Sequence, residues 1–422
     1  MKKLLILGAG TGGTLLANLL SRKLPHKEWE ITVIDKSPEH HYQPGYLFLP
    51  FKLYGYNAKE DIVRPVREPL PHSAKFVQAD VYLIDHKNRA VHTSAGNFDY
   101  DWLILGLGCR IAPEEVEGLE DAMNKNAHTF YTLEGALKMQ EALENFQEGH
   151  LVLNIADMPI KCPVAPIEFV FLADYYFHLK NIRDRVQISL VTPLTGAFTK
   201  PVANETLHRV MDEKNIKVVP NFALESVDAD NKVIKSYTGE TVSYDLLCSI
   251  PPNLGPQVIE ESGLGDGIGY AVTEDKTLKS KRAENTYVVG DCSNVHTSKA
   301  GSVTHFEAEI VSENLLREIA GKEPHPDYDG HSNCFIETGF HKAFLIDFNY
   351  DIEPVHGTFP IPGIGPMSLL ENTYLNHWGK MAFKWVYWNL MLTGRLPGDP
   401  LLPIRMSMSG KKLDEIKQHG GH

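Results

Sequence analysis

Cys162 and Glu168 are the residues whose types and spacing most directly suggest chemistry. They bracket the run Cys162-Pro163-Val164-Ala165-Pro166-Ile167-Glu168, which opens an expected helix over Phe169 to Leu179. A helix N-terminus favours negative charge, so a nearby thiol gains thiolate character, and thiolate is the reactive form. A carboxyl group one to two turns further on can relay a proton. The other four cysteines are Cys109, Cys248, Cys292 and Cys334. None forms a CxxC pair, which excludes zinc-ribbon and thioredoxin-type sites, and five cysteines in 422 residues make no disulfide scaffold. Any cysteine pair must be assembled by the fold.

A second chemical group lies at the N-terminus. Gly8, Gly10 and Gly13 form a G-x-G-x-x-G pattern between an expected strand, Lys3 to Leu7, and an expected helix, Thr14 to Leu20. A second strand, Ile31 to Ile34, ends at Asp35, 22 residues after Gly13. This is the arrangement of a dinucleotide site. Gly8 permits the tight turn, Gly10 admits a pyrophosphate to the backbone, Gly13 lets helix and strand pack, and Asp35 reaches a ribose. The helix start supplies free N–H groups to the phosphates. Met1-Lys2-Lys3 before Leu4 to Leu7 imitates a secretory signal, but the apolar run breaks at four glycines within six residues, so no cleaved signal peptide is expected.

The elements that must hold these residues read as alternating strands and helices. Tyr100 to Leu105 is an apolar strand leading into Gly106-Leu107-Gly108, and Asn285 to Val289 is another that ends in Gly290-Asp291. At 422 residues, with 43% hydrophobic and 23% charged residues, the chain is globular and long enough for two to three domains. A net charge of −13 argues against nucleic-acid binding. No apolar run reaches the length of a membrane span. Near the middle, Leu151 to Ile155 reads as the first strand of another nucleotide-binding unit, but the turn after it, Ala156 to Pro163, has two prolines and no glycine. Proline has no N–H to offer a phosphate.

Taken together, the G-x-G-x-x-G start, the separated Gly106-Leu107-Gly108 and Gly290-Asp291 strand ends, the His41-Tyr42-Gln43-Pro44 segment, the Cys162-Pro163…Glu168 turn, Lys299 eight residues after Asp291, and Cys334 resemble the sulfide:quinone oxidoreductases. These are monotopic members of the two-dinucleotide-binding-domain flavoproteins. The resemblance covers nearly the whole chain. It implies an α/β fold with two Rossmann-like domains, the first split around the second: residues 1–110 and 281–340 for FAD, 111–280 for a second domain without its glycine motif, and 341–422 for a helical region that meets the membrane and the quinone. It also implies that Asp291 holds the ribityl or phosphate region of FAD and that Lys299 places positive charge near flavin N1 and C2=O.

In that family two cysteines beside the flavin hold a disulfide or bridging sulfur. Hydrosulfide attacks one sulfur, and the released thiolate passes the electron pair to the flavin. Cys162 and Cys334, 172 residues apart, match those positions. Many relatives carry a third cysteine where this chain reads Asn126 to Tyr131, and Cys109 comes too early to match it. A related flavocytochrome subunit attaches FAD through a cysteine where this chain has Tyr42. Non-covalent FAD is therefore expected. Cys292 reads as packing near the cofactor and Cys248 as core.

The C-terminal region carries its own signal. His377 to Leu392 holds three of the five tryptophans, and Trp378 to Lys412 has six basic residues against one acid, Asp399. This describes an interfacial helix on a bilayer surface, too short to span it. Phe335, Phe340, Phe344 and Phe348 are candidates for the quinone site, as are His178 and His208 for its protonation. The implied partners are sulfide, a membrane quinone and the lipid surface, with a homo-oligomer as a further expectation. The rival readings are a type II NADH:quinone oxidoreductase and a flavoprotein subunit exchanging electrons with a cytochrome.

Overall fold

The computed structural model describes residues 1–361, 363–397 and 405–415. In chain order, the elements that matter to the site begin with β1 (Lys2–Leu7), α1 (Thr11–Lys23), β2 (Trp29–Asp35), β3 (Lys75–Gln78) and β4 (Trp102–Leu105). The middle of the chain supplies β5 (Ala127–His128), β6 (Gly149–Ile155), α2 (Ala165–Leu179), β7 (Val186–Val191), β8 (Ile216–Val219) and β9 (Leu246–Ile250). Then come β10 (Thr286–Val288), α3 (Gly301–Ile319), β11 (Ser332–Gly339), β12 (Lys342–Phe348), β13 (Gly357–Ile361), β14 (Gly365–Leu369) and α4 (Tyr374–Val386).

Two parallel five-stranded sheets form the frame. The first has the order β10-β4-β1-β2-β3, and the second β5-β9-β6-β7-β8. Their central strands are apolar runs because both faces are covered. Leu4 to Leu7 and Leu246 to Ile250, Cys248 among them, are buried throughout. Strand β10 enters the first sheet from almost 300 residues along, so the strand end at Gly290-Asp291 lies in the same sheet as Gly8. Helix α1 packs on α3 so closely that a Cβ on Gly12 would sit 3.1 Å from Thr304, and 2.9 Å from Val289 just past β10.

Helix α2 is apolar on nearly every face and buried from Ala165 to Tyr175. A helix of that composition belongs inside a protein. It lies between the second sheet and the antiparallel hairpin β11–β12, in contact with β7 and β11. Three structural layers thus converge at its N-terminus. Helix α2 begins at Ala165, four residues earlier than the expected Phe169, with Pro166 in its first turn where a missing N–H costs nothing.

The C-terminal stretch departs from a single interfacial helix. Helix α4 ends at Val386, and Tyr387–Met391 continues as one wider, π-type turn. Tyr387, Trp388 and Met391 are buried against the body of the protein. Among the described residues no helix is long and apolar enough to cross a membrane. Asp399 lies outside the described residues.

Candidate functional site

The glycine loop is shaped by contacts that leave no room for side chains. Gly8 has φ +97°, and a Cβ there would lie 2.2 Å from the Gly106 carbonyl oxygen. A Cβ on Gly13 would lie 1.9 Å from the Gly8 oxygen. Gly10 is the opposite case: it is exposed, and nothing stands within 4 Å of where its Cβ would be. Gly108 and Gly301 open on free space in the same way. The starts of α1 and α3 and the end of β4 therefore present bare backbone, with unpaired helix N–H groups, as an anionic dinucleotide requires.

Asp35 holds this loop in place. One carboxylate oxygen accepts from the Ala9 N–H at 2.7 Å and the other from the Ser37 N–H at 2.8 Å. His40 holds it from the other side, a role that no motif in the sequence marks. Its Nδ1–H donates to the Ala9 carbonyl at 2.9 Å, and its Nε2 accepts from the Tyr387 hydroxyl at 2.7 Å. Tyr387 also meets Thr11 Oγ1 at 2.9 Å. Burial pushes His40 down to about 4, which keeps the ring neutral in this arrangement.

At the end of β10, the Asp291 carboxyl accepts no hydrogen bond from the described residues. Burial pushes it up, and the Lys299 and Lys161 charges pull it back. Lys299 is itself buried, donating to the carbonyls of Asp291 and Ser293 at 3.1 and 2.6 Å with its ammonium over the Tyr270 ring. A half-buried, unsatisfied carboxyl between two lysines suits the hydroxyl-rich part of a dinucleotide, and with the open glycines the residues fit FAD.

Beneath it lies a residue missed from sequence: Glu307 accepts the Gly290 N–H at 2.6 Å, and burial pushes it up to about 7. Its ordinary value is 4.5, so folding favours its protonated form, a contribution present below pH 4.5 and lost as pH rises through 7. We expect the wild type to lose on the order of 3 kcal/mol between those limits. Glu307→Gln should remove that slope, as read from urea midpoints across pH; parallel slopes would refute it.

Cys162, in the turn after β6, and Cys334, in β11, are both free thiols. Cys162 has φ +50°, a left-handed backbone that costs a non-glycine residue about 1 kcal/mol. It is pinned there by its N–H to the Lys299 carbonyl at 2.5 Å and by its carbonyl, which accepts from Ala165 N and Tyr131 Oη at 2.9 and 3.2 Å. Cys334 sits in β11, opposite Ile346, with Ser302 Oγ 3.9 Å from its sulfur. Both thiols are half-buried, and the charges of Glu168 and Lys380 bear on each, Glu168 raising it and Lys380 lowering it. Cys334 also raises Cys162.

Glu168 is buried in the first turn of α2. It accepts the Glu337 N–H at 2.6 Å and is ion-paired with Lys380. Burial pushes its carboxyl up while Lys380 opposes the shift.

Two expectations need correction here. Cys162 lies three residues before α2, and burial outweighs the helix terminus: its thiol is pushed well above the ordinary range, and Cys334 up to about 11. Lys380 was counted among the basic flanks of a surface helix. It points inward instead, because Glu168 would otherwise be an unpaired buried acid.

Cys109 is also closer to the chemistry than its position in the chain suggests. It sits 3.8 Å from Asn253 Oδ1, within the electrostatic reach of Asp291, Lys161 and Lys299, and burial pushes it up to about 12. Cys292 is fully buried, its sulfur 3.3 Å from the Leu105 carbonyl oxygen.

Of the aromatic candidates, Phe344 and Phe348 are core, Phe335 lies against Gly379 of α4, and Phe340 is exposed beside Tyr175. His178 and His208 face outward, near Asp174 and Asp212 respectively. Helix α4 presents Leu375, Trp378, Ala382 and Trp385 to the exterior while Asn376, His377 and Lys380 face inward.

No protein-family model matches the chain. It is similar to the mitochondrial sulfide:quinone oxidoreductase of Mus musculus, 27% identical over 410 residues, covering 95% of this chain and 88% of that protein. It is also similar to a type II NADH:quinone oxidoreductase of Staphylococcus aureus, 36% identical over 344 residues, covering 76% of this chain and 83% of that one. Among solved structures, the sulfide:quinone oxidoreductase of Aquifex aeolicus superposes with a TM-score of 0.78 at 20% identity, over 94% of this chain and 93% of the other. The match to the first runs nearly end to end. The chain shares a family with the S. aureus quinone oxidoreductase, is similar nearly end to end to sulfide:quinone oxidoreductases, and is a flavin-dependent oxidoreductase.

Proposed function

We propose that the protein oxidises sulfide at a Cys162–Cys334 centre and passes the electron pair through non-covalent FAD to a membrane quinone. The observation that carries this reading is the turn after β6. An NADH pyrophosphate would need free backbone N–H groups there. Ala156 N–H already donates to Ile250 at 3.0 Å, Met158 to Asp157 at 2.7 Å, Lys161 to Asn253 at 3.0 Å and Cys162 to Lys299 at 2.5 Å. Pro159 and Pro163 have none to give. Four of the six N–H groups in the turn are thus engaged, and the last of them fixes a thiol.

Gly8, Gly10, Gly13, Asp35, Gly108, Asp291 and Lys299 would hold FAD. When bound, it supplies a two-electron acceptor on the sulfur side and a two-electron donor to quinone. With the two cysteines joined as a disulfide, hydrosulfide attacks one sulfur. A new S–S bond forms, the old one breaks, and the products are one cysteine persulfide and one thiolate. Lys380 offsets the negative charge of that thiolate, and Glu168 takes or returns the proton. Attack by a second nucleophile on the persulfide removes its outer sulfur and leaves a second thiol, and re-forming the Cys162–Cys334 bond would release the electron pair to the bound acceptor and the protons to Glu168.

The S. aureus relative keeps the NADH reading as the alternative. An anaerobic spectral titration separates the two. Sulfide should bleach the flavin absorbance and a soluble quinone restore it, with no effect of NADH. Bleaching by NADH alone would overturn the proposal. Acid precipitation should release the flavin.

The exposed stripe of α4, continued by Ile361 and Ile364 at the β13–β14 hairpin, is proposed as the bilayer contact. A Trp378→Ser/Trp385→Ser protein should bind vesicles at least about tenfold more weakly in co-sedimentation while its sulfide-driven bleaching stays unchanged. Equal sedimentation would redirect that face to a protein partner.

A further inference from the structure

The turn that carries Cys162 follows β6 of the second sheet, whereas Gly8, Asp35 and Asp291, which would hold FAD, stand at strand ends of the first. A thiol on one side of this seam must meet a cofactor on the other. A shift of about 1 Å between reacting groups costs on the order of 100-fold in rate, so the seam has to be fixed.

We infer that Asn253, Tyr270 and Lys299 close a ring that fixes Cys162 against the FAD cradle, with Asn253 and Tyr270 as positioning residues for the sulfur-to-flavin step; the inference rests on the sulfide reading above. Asn253 lies three residues past β9 and is buried. Its Oδ1 accepts the N–H of Lys161, the residue before Cys162, at 3.0 Å. Its Nδ2 donates to the Pro251 carbonyl at 2.9 Å, which sets the orientation of the amide. Its own carbonyl accepts from the Tyr270 hydroxyl at 2.6 Å. The Tyr270 ring carries the Lys299 ammonium 4.3 Å from its centre, and that ammonium donates to the Asp291 and Ser293 carbonyls just past β10. The Lys299 carbonyl accepts the Cys162 N–H at 2.5 Å and completes the circuit. Lys161 and Lys299 pair there as an isolated parallel bridge.

Asn253 and Tyr270 are each 2% exposed and Lys299 8%. Apolar side chains would fill this seam without the desolvation cost of an amide and an ammonium, so packing alone does not account for the ring. What the ring adds is a fixed backbone at residues 161 and 162. Cys162 is left-handed at φ +50°, and such a conformation persists only where its surroundings over-determine it. Two consecutive N–H groups supply that constraint. Lys161 is held from the second sheet by Asn253, and Cys162 from the first by Lys299. Released from either hold, the turn relaxes and the thiol moves relative to the cradle. Cys109 reports on the same ring, because its sulfur lies 3.8 Å from Asn253 Oδ1.

Asn253→Ala removes the acceptor for Lys161 and keeps the carbonyl for Tyr270. In anaerobic stopped flow on the flavin-loaded protein, its limiting rate of sulfide-driven bleaching should fall about 100-fold. The sulfide concentration at half that rate, the flavin content and the rate of bleaching by dithionite should match wild type, because the cysteines and the cradle remain. Tyr270→Phe keeps the ring under Lys299 and loses only a hydroxyl. It is the milder variant should Asn253→Ala not fold, and its limiting rate should fall about tenfold. Side chains in one network do not act independently, so the double variant should stay within about twofold of Asn253→Ala alone.

Alkylation of Cys109 in the flavin-loaded protein, followed by peptide mass spectrometry, gives a readout apart from turnover. It should quicken at least about tenfold in Asn253→Ala, as the seam opens more often. Wild-type limiting rates in both single variants would overturn the ring, as would slowing that tracks lost flavin or slower dithionite bleaching. Fully multiplicative effects in the double variant would also overturn it, since the two side chains would then act separately. A wild type that sulfide cannot bleach would instead overturn the sulfide reading. Cys109 alkylation would still decide the ring in that case, and equal rates in wild type and Asn253→Ala would rule it out.

Discussion

Cys162→Ser protein is expected to keep its flavin oxidised when sulfide is added, with the rate of bleaching down at least about 1000-fold. The basis is chemical. Serine preserves the backbone bonds of residue 162 to Lys299, Ala165 and Tyr131, so the turn and the cofactor cleft should survive. What disappears is a sulfur that can be attacked by hydrosulfide and can leave as a thiolate. Cys334→Ser should behave in the same way, because the exchange needs both sulfurs. Cys248→Ser supplies the contrast: it would place a hydroxyl in a fully buried strand, lowering stability while leaving the bleaching rate intact. The measurement is stopped-flow absorbance under anaerobic conditions, with flavin content and thermal midpoint recorded for each variant. Bleaching of Cys162→Ser at the wild-type rate would remove the cysteine centre from the mechanism.

The second large effect is expected at Gly13. An added Cβ would stand 1.9 Å from the Gly8 carbonyl oxygen, a backbone atom that no side-chain rotation can move. Gly13→Ala must therefore push α1 away from β1. We expect loss of bound flavin and a destabilisation of about 3 kcal/mol or more. Gly10→Ala makes the informative pair. Its Cβ meets nothing within 4 Å and its backbone is extended, so the fold should be unaffected. The methyl group would project into the open space assigned to the pyrophosphate, and affinity for FAD should fall at least about tenfold. The ratio of flavin to protein absorbance, together with the thermal midpoint, distinguishes the two. Full flavin occupancy in Gly10→Ala would mean that the dinucleotide lies elsewhere.

These glycines were legible in the sequence because their constraint is local: a strand, a turn and a helix follow each other directly, and an acid closes the unit at Asp35. The missing second glycine motif was legible for the same reason. The structure adds that four of the six N–H groups of that turn, those of Ala156, Met158, Lys161 and Cys162, are already taken, which composition cannot state. The tertiary contacts were harder to see. Lys380 reads as a polar flank on a helical wheel, and only the burial of Glu168, 212 residues away, shows which way it turns. Glu337 and His377 are 40 positions apart in segments with no motif between them. Glu307 looks like an ordinary helical acid until the Gly290 N–H is found on it. Tyr387 and Trp388 read as part of an exposed aromatic band, and the wider turn after Val386 carries them inward.

That inward turn has a consequence for how the molecule responds to its surroundings. Tyr387 is bonded to Thr11 and His40, and His40 to Ala9, while Trp388 lies against His40 and under the Arg64 guanidinium. The arm that displays Trp378 and Trp385 outward is thus anchored on the loop expected to cradle the dinucleotide. Anything that steadies the arm must tighten the hold on the dinucleotide, and an occupied loop must steady the arm by the same factor. Lipid, detergent or a partner at the outer face would then act as an effector of cofactor retention, so that flavin lost on extraction and flavin regained on reconstitution measure one coupling from its two ends.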